Sequence, residues 1–152
     1  MSHDAIVDFM RREVSIEEHN EVRELWKSHS MAEDNRDLEG LISTLTEDCV
    51  YEMPQTGTRW EGHDGAREFY ITLLTAFPDI HFDLQDIVIG PQGVCKEANV
   101  TATHLGDWLH FKATGEKLVF KVIIFFPWDP EKKKFRGEKV YLDSVEQFVN
   151  KT

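Results

Sequence analysis

Apolar residues in the first third of the chain recur with the period of a helix. Ser15 and Glu18 have the spacing of a capping box, which marks a helix start. The residues that follow at i, i+3, i+4 and i+7 are Val22, Leu25, Trp26 and His29. This spacing predicts one apolar helix face and places His29 toward the core.

Three further segments have helical periodicity. Asp37 is predicted to cap a short helix, and Asp64 is predicted to cap a longer one that ends before Pro78. Residues 1–14 form an N-terminal extension that is predicted to be helical because Ile6, Phe9 and Met10 share a face.

The rest of the chain has the pattern of strands separated by turns. The predicted strands cover 49–53, 81–89, 95–104, 117–127 and 135–143. Helices followed by a run of consecutive strands predict an α+β fold, with the helices on one face of an antiparallel sheet.

Length and charge narrow the classes of function. The 152 residues fit a single domain over 1–152, and the net charge of −11 argues against binding to nucleic acid or to an anionic membrane surface. No apolar run is long enough to span a bilayer, and no basic and apolar leader precedes the first helix. Two distant cysteines, Cys49 and Cys95, are typical of a reducing compartment, so a cytoplasmic location is expected.

Four segments carry a resemblance to a known family. They are LTEDCVYEMPQTGTRWEGHDGAREFY at 45–70, AFPDIHF at 76–82, THLGDWLHFKATGEKL at 103–118 and GEKVYLD at 137–143. Their order and spacing resemble the SnoaL-like branch of the nuclear-transport-factor-like superfamily, which includes polyketide cyclases and ketosteroid isomerases. The resemblance implies a cone-shaped α+β barrel, an apolar pocket for a small hydrophobic and cyclic ligand, no cofactor, and a homodimer.

The same resemblance can be examined at single positions. Met53 stands where the isomerases carry their general base, and Ile123 stands where they carry a neutral carboxylic acid. Val140 occupies the position of the acid–base aspartate of the cyclases, and Tyr51 that of their pocket asparagine. Methionine, isoleucine and valine cannot exchange a proton, so the familiar chemistry of both relatives is not expected.

His29 and Tyr70 are the predicted catalytic pair. His29 falls near the oxyanion-hole tyrosine of the isomerases, and Tyr70 matches one of their pocket tyrosines. The remaining predicted pocket residues are Trp26, Tyr51, Met53, Phe69, Leu73, Trp108, Lys121, Ile123, Glu138 and Val140. A core histidine satisfied by a hydroxyl group is the favoured alternative for His29. For Lys121 and Glu138, a structural ion pair or a solvated rim is favoured over an acid–base pair.

Two other sequence patterns are candidate functional sites. Asp79, His81 and Asp83 alternate and could ligate a metal, but the wet face of an edge strand is the favoured interpretation, and no metal site is predicted. The aromatic run 108–111 is expected to form a lid or a subunit interface. Two functions therefore remain open, namely a cofactor-independent isomerase, cyclase, dehydratase or hydrolase, and a non-catalytic small-molecule-binding protein.

Overall fold

The computed structural model describes residues 1–148. Its helices are α1 (His3–Arg11), α2 (Ile16–Asp34), α3 (Leu38–Ser43) and α4 (Gly62–Ala76), and a single 3-10 turn covers Glu146–Phe148. The predicted caps of α2 and α3 are present, because Ser15 accepts a hydrogen bond from the Glu18 amide and Asp37 accepts one from the Gly40 amide. None of these helices is long and apolar enough to cross a membrane.

Six strands form one mixed sheet. They are β1 (Leu45–Met53), β2 (Thr58–Glu61), β3 (His81–Gly90), β4 (Gly93–Thr103), β5 (Lys117–Asp129) and β6 (Lys134–Leu142). Their order in the sheet is β2-β1-β6-β5-β4-β3, and each neighbouring pair is antiparallel except β1 and β6, which run parallel. The predicted α+β class is confirmed. The sheet was predicted to be antiparallel, and this is wrong for one pair, because β1 and β6 run parallel.

Alternate side chains of β5 show where the core lies. Its buried residues are Leu118, Phe120, Val122, Ile124 and Phe126. They face the helices, whereas the residues between them lie on the outer face of the sheet, since successive side chains of a strand point to opposite faces. Helices α2 and α4 contribute Trp26, Phe69 and Leu73 to the same core.

Three predictions about these elements were wrong. Strand β1 begins at Leu45, four residues before the predicted start, and strand β2 was not predicted. Helix α4 begins at Gly62, and the residue before it, Glu61, makes no side-chain cap. Asp64 lies inside the first turn of α4, where it pairs with Arg67.

The predicted helix in the N-terminal extension is present as α1. Its residues Ile6, Phe9 and Met10 are all at least 39% exposed. The extension is attached to the β3–β4 turn, because the Gln92 amide donates to the Phe9 carbonyl and Arg12 donates to the Pro91 carbonyl.

Candidate functional site

A narrow cavity lies between α4 and the inner face of the sheet; we call it the main cavity. Its wall consists of Glu33, Met53, Phe69, Leu73, Phe77, Ile80, Phe82, Trp108, Phe120, Val122, Ile124, Glu138, Val140 and Leu142. The volume is about 30 Å³. Glu33 and Glu138 are the two charged residues in this otherwise apolar wall, so any polar chemistry on a ligand would occur beside them.

Four elements place polar side chains around Glu33 and Glu138, in the wall of the main cavity or behind it. Helix α2 contributes His29 and Glu33, which lie four residues apart and therefore on the same helix face. Strand β6 contributes Glu138, helix α4 contributes Tyr70 and strand β1 contributes Tyr51. All five side chains are buried.

A hydrogen-bond network connects Glu138 to the groups behind it. The Tyr70 hydroxyl donates to Glu138 Oε2 at 3.3 Å and lies 3.2 Å from His29 Nε2. The same hydroxyl is 2.9 Å from the Tyr51 hydroxyl. His29 Nε2 is 3.3 Å from Glu138 Oε1, an oxygen that has no hydrogen-bond partner among residues 1–148.

The two tyrosines serve this network as neutral groups. Burial, reinforced by the charge of Glu138, raises the pKa of Tyr51 and of Tyr70 well above the ordinary value. Both hydroxyl groups therefore keep their protons at neutral pH and can act as hydrogen-bond donors.

Glu33 has a different environment from Glu138. Burial raises the pKa of Glu33, and Lys96, whose Nζ lies 3.6 Å from Glu33 Oε1, opposes this shift without cancelling it. Lys96 is itself buried and lies over the rings of Trp26, Phe82 and Phe126. A carboxyl group with a raised pKa keeps its proton more readily, so Glu33 can donate a hydrogen bond into the main cavity.

The cluster also has the spacing of a cation site. One ligand atom from each of His29, Glu33 and Glu138 lies within 4.8 Å of the others. Lys96, however, already places a positive charge beside Glu33.

Six predicted pocket residues line the main cavity. They are Met53, Phe69, Leu73, Trp108, Glu138 and Val140. The predicted contact between His29 and Tyr70 is also present. His29, Tyr70 and Tyr51 do not line the wall and lie behind it, so His29 and Tyr70 reach the cavity through Glu138.

Three other predicted pocket residues lie elsewhere. Trp26 lines a separate groove with Lys96 on the other side of Glu33. Lys121 and Ile123 were predicted to face the cavity, and this is wrong. Lys121 pairs with Glu97 at 2.6 Å on the outer face of the sheet, and Ile123 is 38% exposed there. Their neighbours Val122 and Ile124 face inward instead, because the strand pleat alternates.

The alternating Asp79, His81 and Asp83 do not form a site. Asp79 precedes β3 and accepts hydrogen bonds from the amide and the hydroxyl of Thr103, which lowers its pKa. His81 and Asp83 are exposed. Within the aromatic run 108–111, Trp108 lines the main cavity and is buried against Phe77 and Phe148.

Three residues of the cluster escaped the sequence reasoning. The signal for Glu33 was its spacing of four residues from His29, which places both on one helix face. Lys96 contacts Glu33, and Thr44 Oγ1 lies 2.7 Å from His29 Nδ1. Neither offered a comparable signal, because each meets the cluster from an element distant in sequence.

Comparison with known proteins gives a family match and a shared fold. A family model described as a SnoaL-like domain matches residues 22–134. No curated protein matches the chain.

Three solved structures illustrate the shared fold. A polyketide cyclase candidate from Pseudomonas putida KT2440 is 22% identical, with a TM-score of 0.68 over 84% of this chain and 95% of that one. The hydroxylase candidate AclR from Streptomyces galilaeus is 20% identical, with a TM-score of 0.67 over 84% and 92%. An NTF2-like protein from Burkholderia pseudomallei K96243 is 14% identical, with a TM-score of 0.70 over 84% and 94%.

Proposed function

Because the chain belongs to the SnoaL-like domain family, we propose that it is a cofactor-independent enzyme that moves protons on a small, apolar, cyclic molecule bound in the main cavity. One observation carries this proposal: two buried carboxyl groups, Glu33 and Glu138, stand side by side in a wall that is otherwise apolar. Buried carboxyl groups in unequal environments are a common source of paired acid and base.

The two carboxyl groups have separate roles in this proposal. Glu138 acts as the base, and it is positioned by the Tyr70 hydroxyl and His29. Glu33 acts as the acid, because its raised pKa favours the protonated form. For a ketone, Glu138 takes a proton from the carbon beside the carbonyl, the C–H electron pair forms the C=C bond of the enol, and Glu33 protonates the carbonyl oxygen. Reversal at another atom completes an isomerisation, and loss of a leaving group completes a dehydration.

Exchange of a carbon-bound proton tests the proposal without the natural substrate. The probe is 2-tetralone, a two-ring ketone, incubated with the protein in deuterium oxide and followed by NMR. We expect deuterium to enter the carbon next to the carbonyl faster than in buffer alone. The main cavity has a volume of about 30 Å³, so binding of 2-tetralone requires the wall of the cavity to open. Exchange no faster than with heat-denatured protein would contradict the acid–base role.

A non-catalytic binding protein is the second candidate. It is favoured by Met53 and Val140, since both line the main cavity with apolar side chains at positions where the better-known relatives carry ionisable groups. Fluorescence titration with 2-naphthol distinguishes the two. Saturable binding with no exchange of 2-tetralone would support this second function over the first.

We also propose that two copies of the chain associate through the outer face of the sheet. Apolar side chains exposed there include Val88, Val119, Ile123 and Tyr141. Ile123 and Tyr141 are direct neighbours in the β5–β6 ladder. A stable interface buries on the order of 1,600 Å² in total.

Charge placed on this face is expected to separate the copies. The double variant Ile123→Lys and Tyr141→Glu should sediment as a 17.7 kDa species, whereas the unmodified chain should sediment at twice that mass. Ile71→Glu is the matched control, because Ile71 is also exposed but lies on α4. A wild-type protein that is monomeric at micromolar concentration would contradict the proposed dimer.

A cytoplasmic location remains a proposal as well. It is supported by the free thiols of Cys49 and Cys95, since unpaired cysteines are typical of a reducing compartment.

A further inference from the structure

The hydroxyl group of Thr44 determines which nitrogen of His29 carries a proton. Thr44 Oγ1 donates to the Leu41 carbonyl at 2.7 Å, and a carbonyl can only accept. A hydroxyl group has a single proton, so Thr44 has none left for His29. His29 Nδ1 lies 2.7 Å from the same oxygen and must therefore be the donor.

This arrangement leaves the other nitrogen of His29 facing a carboxylate. Nε2 is 3.3 Å from Glu138 Oε1, which has no hydrogen-bond partner among the described residues. The Glu138 side chain is 2% exposed, so water does not screen it. The contact between Nε2 and Oε1 does not have the geometry of a hydrogen bond. With its proton on Nδ1, His29 can only accept at Nε2, and the Tyr70 hydroxyl lies 3.2 Å from that nitrogen.

The Tyr70 hydroxyl has one proton and two acceptors within reach. They are His29 Nε2 at 3.2 Å and Glu138 Oε2 at 3.3 Å. Tyr51 contacts the same hydroxyl in this network. Lys96 lies against Glu33, with its Nζ 3.6 Å from Glu33 Oε1.

We propose that Thr44 is a positioning residue: it holds the Nδ1-protonated form of His29, so that Nε2 is the nitrogen that accepts from the Tyr70 hydroxyl. This deepens the proposed function and rests on it for its consequence. His29 held in this form keeps the Tyr70 hydroxyl beside Oε2 of Glu138, the proposed base.

NMR of the free protein tests the placement of the protons. Protein labelled with ¹⁵N-histidine is prepared with EDTA, so that no metal ion contributes to the spectrum. We expect His29 Nδ1 to carry a directly bonded proton that exchanges slowly with water. The Nε2 signal should be that of a nitrogen without a directly bonded proton. A wild-type His29 without a proton on Nδ1 would overturn the inference, whatever any variant shows.

Two substitutions separate positioning from simple packing. Thr44→Val keeps the shape but removes the acceptor, so we expect the Nδ1 proton of His29 to be lost or to become freely exchanging. Thr44→Ser retains the hydroxyl and should keep the wild-type signals. His104 is the internal reference, because its Nδ1 contacts Thr114 and should not respond. Unchanged His29 signals in Thr44→Val would contradict the role of Thr44.

The rate of deuterium exchange into 2-tetralone then distinguishes a failure of the proposed function from a failure of the proposed role of Thr44. If both proposals hold, Thr44→Val should exchange at least about tenfold more slowly than wild type, and Thr44→Ser should match wild type. If the NMR signals are as expected but the wild type does not exchange deuterium into 2-tetralone, the proposed function is overturned and the role of Thr44 is supported. If the wild type exchanges deuterium but His29 Nδ1 carries no proton, the proposed function is supported and the role of Thr44 is overturned.

Discussion

Replacing Glu138 by glutamine is expected to slow the exchange of 2-tetralone by roughly 100-fold or more, because general acid–base catalysis contributes about 10²–10⁴-fold. Glutamine has nearly the same shape and can still accept a hydrogen bond from Tyr70. It cannot take up a proton from carbon. The measurement is the rate of deuterium incorporation, compared at equal concentrations of folded protein.

Glu52→Gln is the matched control for this change. Glu52 lies on β1 next to Tyr51, the register partner of Glu138, and pairs with Lys139 at 3.6 Å. Its removal should leave exchange within about twofold, since the value of a partly exposed ion pair is small. Equal losses in both variants would show that the effect is structural. Unchanged exchange in Glu138→Gln would exclude Glu138 as the base.

Gly137→Ala is expected to give the largest loss of stability. Gly137 has φ +123, and a Cβ there would lie 1.8 Å from the Val50 carbonyl oxygen, closer than any two such atoms can approach. The parallel strands β1 and β6 meet at this point, where Val50 and Gly137 are register partners. Overpacking and backbone strain together predict a loss of about 3 kcal/mol or more in the free energy of unfolding. Denaturant unfolding measures it, with a fall in Tm of roughly 6–12 °C.

Gly115→Ala isolates the contribution of the clash. Gly115 also has a positive φ, +72, but a Cβ there meets nothing within 4 Å. Its replacement should cost only about 1–2 kcal/mol, the usual penalty of a left-handed conformation. Equal losses in the two variants would mean that β1 and β6 can separate without cost. Since Gly137 directly precedes Glu138, Gly137→Ala should also slow exchange per folded molecule.

Local patterns accounted for most of the helices and strands. A capping residue followed by apolar residues at helical spacing depends only on neighbours in sequence, and for this reason the starts at Ser15 and Asp37 were predicted. The short strand β2 depends on pairing with β1 across a turn, and its four residues show no pattern of their own.

The inner and outer faces of β5 show a limit of sequence patterns. Residues 122–126 are apolar at every position, so alternation could not reveal which side chains face the helices. Pairing with β4 and β6 sets the register, and a shift of one residue moves every side chain to the other face. Lys121 and Ile123 were misplaced for this reason, whereas Glu138 and Val140 were placed correctly because β6 alternates clearly.

The sequence by itself determined the fold class, the inward direction of His29 and Tyr70, and most of the apolar wall around Met53, Phe69 and Trp108. These follow from periodicity, which acts over a few residues. Only the tertiary structure showed that His29 lies behind Glu138, that Glu33 stands beside it, and that Thr44 and Lys96 meet the cluster. These contacts join elements up to 109 positions apart, as with His29 and Glu138. Their geometry depends on how the sheet curls around α2 and α4, which no local pattern encodes.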